Sequence, residues 1–195
     1  LIVVLLALFC LVKIKNIWLA DIYYGKGKTN LEANEIALKL NPSEPLYQSQ
    51  LGFIQSVVAS QVIFPQMSNL ATAEAELKKK AQKYFDQYVN DSISNTQKAV
   101  TLNEWNLNLY KNKARTELNL ASIDPKYNDS AIKTLLKIIE LSPTDPTNYY
   151  NLGVLYKNIN KTEEANLAFK KTIELFPKHQ GAINELELQK KKKKK

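Results

Sequence analysis

Cysteine is almost absent. Cys10 is the only one in 195 residues, so no intrachain disulfide can form. Histidine is equally scarce. His179 stands alone just past a helix-ending proline, where a solvated side chain is expected, and metal or catalytic sites need partner ligands. Only five glycines occur, and Gly25-Lys26-Gly27-Lys28 lacks the flanking spacing of a phosphate-binding loop. Glu163-Glu164 is accounted for as a pair of acids in the first turn of a helix, at the positive end of its dipole. No strand-period alternation of useful length is present, whereas long windows rich in Leu, Ala, Lys, Glu and Asn favour helix. These absences leave an all-α chain with no catalytic constellation, no cofactor site and no metal site, and they point away from an enzyme.

The charge is less basic than it looks. The formal net charge is +8, but positions 190–195 are six consecutive lysines, so the rest of the chain carries +2. A block of like charge reads as a solvated tail. Tyr110, Tyr149, Tyr156 and Phe169 fall where helices pack and do not form a base-stacking platform, so no specific nucleic acid is expected.

What the chain does have begins at its first residue. Positions 1–12, LIVVLLALFCLV, carry no charge. Twelve helical residues cover about 18 Å, against a hydrocarbon core of about 30 Å. With Ile14, Ile17, Trp18 and Leu19 beyond the interrupting Lys13 and Lys15, positions 1–19 read as the end of a transmembrane anchor helix whose start lies upstream. Trp18, Tyr23 and Tyr24 suit the membrane interface. The rival reading is a cleaved signal peptide, which has an apolar core of this length.

The most regular stretch lies between Pro143 and Pro177, which are 34 positions apart. Within it Tyr149-x-x-Leu152-Gly153-x-x-Tyr156 is followed by Ala165-x-x-x-Phe169. Tyr149, Leu152, Leu155 and Tyr156 recur at three- and four-residue steps and so share one helical face. Asp145-Pro146 starts a helix and Pro177 stops the next one. The spacing resembles the tetratricopeptide repeat (TPR), W-x₂-L-G-x₂-Y then A-x₃-F then P over 34 residues, with Tyr149 in the tryptophan place. This resemblance implies a TPR-like α-solenoid of antiparallel helix pairs, preceded by the apolar transmembrane-type helix. The last regular pair spans positions 145–177.

The repeat echoes upstream. Pro42-Ser43-Glu44-Pro45 leads to Leu51-Gly52 as Pro143-Thr144-Asp145-Pro146 leads to Leu152-Gly153. Ala33, Ala37, Leu38 and Leu40 fit the second helix of an earlier pair. Ala99 sits near a repeat end at Glu104. Tyr110, Ala114 and Leu118 open the next pair, and Ala131, Leu135 and Ile138 close it. The end marks Pro42, Glu104, Pro143 and Pro177 are 62, 39 and 34 positions apart. The excess of five is expected in the loop around Ile123–Tyr127. The excess of 28 is expected in longer helices and a loop near Ile63–Met67, before a long helix around Ala71–Val89. Gly181 onward reads as a terminal helix that caps the array. The expected division is 1–19 anchor, 20–189 TPR-like region of about four pairs, and 190–195 lysine tail.

In TPR arrays the first helices of successive pairs line a concave groove that takes a protein or peptide. The resemblance places Asn108, Lys111, Arg115, Tyr150, Val154 and Lys157 there, with Lys111 and Arg115 forming a basic strip suited to an acidic peptide. The segment Leu19-Ala20-Asp21-Ile22-Tyr23-Tyr24-Gly25-Lys26-Gly27, running from an apolar helix into TPR pairs, resembles the C-terminal tail of bacterial O-antigen ligase/polymerase-type membrane proteins. So does the stretch from Asn106 to Arg115 followed by Ile123–Tyr127. That likeness implies a scaffold tethered to the bacterial inner membrane through the N-terminal helix. The alternative is a secreted or periplasmic TPR adaptor with a cleaved signal.

Overall fold

A computed structural model describes residues 2–26, 29–70 and 75–192, with the side chains of 68 and 190–192 left out. The readings of Gly27, Lys28, Ala71 and the end of the lysine tail fall outside the described residues. Among those residues the chain is all-α and TPR-like, with an apolar helix at its start. It divides into two compact units, Leu1–Ile123 and Asp124–Lys195.

The first unit opens with α1 (Ile2–Lys26), one uninterrupted helix of 25 residues. Lys13 and Lys15 interrupt the apolar run but not the helix, since lysine is a good helix former. At 1.5 Å per residue α1 is about 37 Å long, enough to cross a bilayer by length and composition. Its first fourteen residues are exposed, whereas Ala20 is buried. The helix therefore has two regimes: an uncovered apolar shaft, and a last turn and a half packed on α2 (Leu31–Leu40) and α3 (Pro45–Val57). Ala20, Ala37 and Tyr47 form that contact, with Tyr23, Tyr24, Leu38 and Leu40 around them.

The repeated proline signature has a physical role. Glu44 Oε1 accepts from the Leu46 N–H at 3.2 Å, and Asp145 Oδ1 from the Thr147 N–H at 2.9 Å. In both, the carboxylate satisfies a free N–H of the first turn, and the proline after it needs no hydrogen-bond partner of its own. Asn30 and Asn106 cap α2 and α6 (Leu107–Ala121) in the same way.

The 28-residue excess lies in longer helices, as expected, but not in the expected loop. Ile63–Met67 forms no loop. Instead α3 runs on through a π-helical stretch, Val58–Ile63, into α4 (Phe64–Asn69), and the chain returns as α5 (Ala75–Leu102). Pro65 has no N–H, and in a regular α-helix its ring would press on the carbonyl four residues back. The wider π-turn, in which the Phe64 N–H reaches the Ala59 carbonyl, absorbs that misfit. The two arms meet through Phe64 and Phe85, ring centroids 6.0 Å apart. Below them α3 and α5 pack at Gly52, where a Cβ would lie 2.8 Å from both the Ser92 carbonyl and Thr96 Cγ2. The five-residue excess does lie in the connection after α6, as a short 3₁₀ turn, Pro125–Tyr127, held by Asp124.

The second unit contains α7 (Asn128–Leu141), α8 (Pro146–Asn158), α9 (Thr162–Leu175) and α10 (Gln180–Lys192). α8 and α9 are joined by a tight turn in which Asn160 takes a φ of 62°. Its centre is a fully buried Phe169 with Ala165 and Ala182. A Cβ on Gly153 would stand 2.6 Å from Phe169 Cε1, so the glycine makes room for the ring.

A candidate protein-binding surface

The repeat-signature residues take up packing positions. Leu51, Gly52, Ala99, Ala114, Ala131, Leu135, Leu152, Gly153, Ala165 and Phe169 are buried. Tyr149 and Tyr156 are half-buried, and Tyr149 donates its hydroxyl to the Pro143 carbonyl at 3.0 Å. Pro177 is exposed. It directly follows the α9 cap at Phe176, where a proline cannot continue the helix.

The six groove candidates fall in different units. In the first unit Asn108, Lys111 and Arg115 lie on α6. Asn108 is exposed in the capped first turn, Lys111 is half-buried, and Arg115 is exposed. The Arg115 guanidinium carbon lies over the half-buried Phe53 ring of α3, 3.8 Å from its centroid. Such stacking holds a cation in place without neutralising it. No carboxylate pairs with Arg115 among the described residues.

Arg115 belongs to a polar seam between α3 and α6. Asn112 Nδ2 reaches Gln50 Oε1 at 3.5 Å, and Asn119 Nδ2 donates to Ser56 Oγ at 3.1 Å. The two contacts join positions 62 and 63 apart, so α3 and α6 run in the same direction side by side. Below the seam, nearly buried Glu117 is paired with Lys113 on its own helix. At the near end of α3, Tyr47 donates its hydroxyl to Asp21 of α1. Burial first, then that hydrogen bond and the charges of Asp21 and Glu44, push the phenol above the ordinary tyrosine range.

In the second unit the other three candidates are engaged by neighbouring helices. Tyr150 and Val154 pack, partly buried, on the Ala165–Phe169–Ala182 cluster. Tyr150 also lies 4.6 Å from the His179 ring, and a Cβ on Gly181 would meet its hydroxyl at 2.8 Å. Lys157 forms an ion pair with Glu185 of α10 at 2.8 Å. His179 is not the solvated side chain that its position implied. Its Nδ1 accepts from the Ala182 N–H at 3.2 Å and caps α10, and its ring sits between Tyr150 and Phe176. Among the described residues no group of three or more His, Cys, Asp or Glu could hold a metal ion.

A family model described as the tetratricopeptide repeat matches residues 134–165. The crystal structure of MamA superposes with a TM-score of 0.53 at 20% identity, covering 90% of this chain and 97% of that one. The first TPR of Spaghetti (RPAP3) bound to the HSP90 peptide SRMEEVD gives 0.46 at 25% identity, over 61% and 91%. The Arabidopsis OM64 TPR domain gives 0.45 at 18% identity, over 70% and 98%. No curated protein matches the sequence. The chain thus contains a tetratricopeptide repeat and has the TPR fold.

Proposed function

We propose that this chain is a TPR protein-interaction scaffold held at a membrane by α1, and that the α3–α6 face takes an acidic segment of a partner protein. The observation that carries the reading is Arg115. It is an exposed guanidinium fixed over an aromatic ring, with its N–H fork uncommitted to any carboxylate among the described residues. Lys111 lies one helical turn away, and the Gln50, Asn112 and Asn119 amides line the same seam. A planar fork of this kind suits bidentate recognition of a carboxylate. The experiment is a peptide array probed with the full chain in detergent. Acidic peptides should be retained over basic and scrambled ones, and Arg115→Gln should abolish that preference. Retention independent of peptide charge would refute the reading.

The membrane part rests on α1, whose apolar shaft is uncovered along its length. The direct run of that shaft into the first helix pair supports assigning the chain to the C-terminal tail of an O-antigen ligase/polymerase-type protein of the bacterial inner membrane. The second reading, a secreted or periplasmic adaptor, shares the same apolar helix near the N-terminus. Mass spectrometry of the mature protein decides between them. A peptide spanning Leu11 to Asp21 belongs to the anchored form, and a new N-terminus at or before Ala20 belongs to the adaptor.

A further inference from the structure

Resting on the membrane reading of α1, we infer that the edge of the first unit formed by the α2–α3 and α5–α6 turns lies on the lipid headgroup region. Trp18 and Trp105 mark the same interfacial plane.

Direction comes first. α1 and α2 are a packed hairpin, and α2 and α3 are joined by a four-residue turn, so α1 and α3 run in the same sense. α3 and α6 also run in the same sense, as their two cross-contacts show. The apolar shaft of α1 therefore leaves the unit at the edge where α3 and α6 begin and α5 ends.

Level comes next. Carried back by the 62 to 63 positions between α6 and α3, Trp105 stands level with positions 42 and 43, in the α2–α3 turn. Tyr47 touches Asp21 and Tyr24 of α1, 26 and 23 positions earlier. Carried back by that interval, the same level falls at positions 16 to 20 of α1, where Trp18 lies. These are the only two tryptophans in the chain, and they are 63% and 78% exposed.

The rest of the edge has matching chemistry. Leu46 and Leu102 are exposed there, beside an apolar-lined cleft of about 350 Å³ between Pro42, Gln48, Lys98 and Leu102. Tryptophan favours the headgroup level because its ring is apolar and its N–H is polar. Lys13 and Lys15 lie three to five residues deeper, roughly 5–8 Å, within reach of the headgroups by extension of their stems. The edge carries both signs of charge, Lys39 and Lys98 against Glu44 and Glu104, so its attraction to lipid is apolar and aromatic. It needs no anionic lipid.

The test uses the full chain reconstituted in phosphatidylcholine vesicles, with part of the lipid brominated on its acyl chains. Trp105→Phe leaves Trp18 as the only tryptophan, and Trp18→Phe leaves Trp105. Both positions are exposed, so phenylalanine fits, and circular dichroism checks each variant's helix content. Both single tryptophans should lose emission to the brominated lipid, and 0.5 M salt should leave the loss unchanged. Quenching of Trp18 with Trp105 unaffected would overturn the inference and leave the anchor standing. Quenching of neither would overturn the anchor and the inference with it. Quenching of Trp105 alone would overturn the shared plane.

Discussion

Replacing Gly153 by alanine sets two known effects against each other. Alanine raises helix propensity, worth about 0.8–1.0 kcal/mol in a helix interior. The new Cβ, however, would stand 2.6, 2.8 and 3.1 Å from three atoms of the Phe169 ring. Carbon atoms in contact prefer about 3.5–4.0 Å, so the ring must retreat by roughly 1 Å. Phe169 has no room to retreat, being fully buried with Ala165, Ala182 and the Tyr150 ring around it. Overpacking of this kind costs about 1–3 kcal/mol, and three short contacts on an immobile ring place it in the upper half of that range. A net loss of about 1–2 kcal/mol follows once propensity is subtracted. Hydrogen exchange read by mass spectrometry, on peptides covering α8 and α9, should show faster exchange in Gly153→Ala. Trimming the ring in Gly153→Ala/Phe169→Leu should recover part of the loss, giving a coupling of about 0.5–3 kcal/mol in the double-mutant cycle. Unchanged or slower exchange in Gly153→Ala would show that propensity wins and that the close contact is absent.

Other outcomes follow from single contacts. Gly52→Ala should destabilise the α3–α5 packing by a net of about 1–2 kcal/mol once helix propensity is subtracted, because its Cβ meets the Ser92 backbone carbonyl at 2.8 Å, and backbone yields little; urea unfolding measures it. Tyr47 has its pKa raised on folding, so its contribution is fully present below the unfolded value of about 10 and is lost as pH rises above it. Wild type should therefore lose stability above that pH by more than Tyr47→Phe does, and equal alkaline slopes would refute the assignment. His179→Ala removes the Nδ1 cap and should cost α10 about 0.5–2 kcal/mol of protection, with His179→Asn recovering part of it by its own capping oxygen. Undiminished exchange protection in α10 would contradict that role.

The repeat grammar was legible because the packing geometry constrains small residues. Gly52, Ala114 and Gly153 mark close helix contacts, and their spacings carried the sizes of both insertions. The longer helices of the 28-residue excess were legible, but the unbroken helical path through Ile63–Met67 was not, since Pro65 reads as a loop signal and only the π-turn around Val58–Ile63 makes it compatible with helix. The surface was half legible. Lys111 and Arg115 stand out as a basic pair, but Phe53 under Arg115 does not. The signal was available nonetheless: Gly52 and Ala114 are 62 positions apart, and the same interval carries Phe53 to Arg115 and Gln50 to Asn112. Tyr150, Val154 and Lys157 were read as groove residues, and their contacts with His179, Ala182 and Glu185 were not legible because these partners lie in or just before α10, two helices further along the chain. His179 was misread for a related reason. A histidine after a proline has no local partner in sequence, and its cap becomes visible only with α10 in place.

The central claim is that a carboxylate-bearing segment is held by Arg115, and fluorescence anisotropy with an acidic peptide selected on the array tests it most directly. A hydrogen bond to a charged group contributes about 1.5–3 kcal/mol, so Arg115→Gln should weaken Kd by roughly tenfold to a hundredfold. Lys157→Gln, whose cation is already paired with Glu185, should change it by less than about twofold. Equal affinities for wild type and Arg115→Gln would contradict the account.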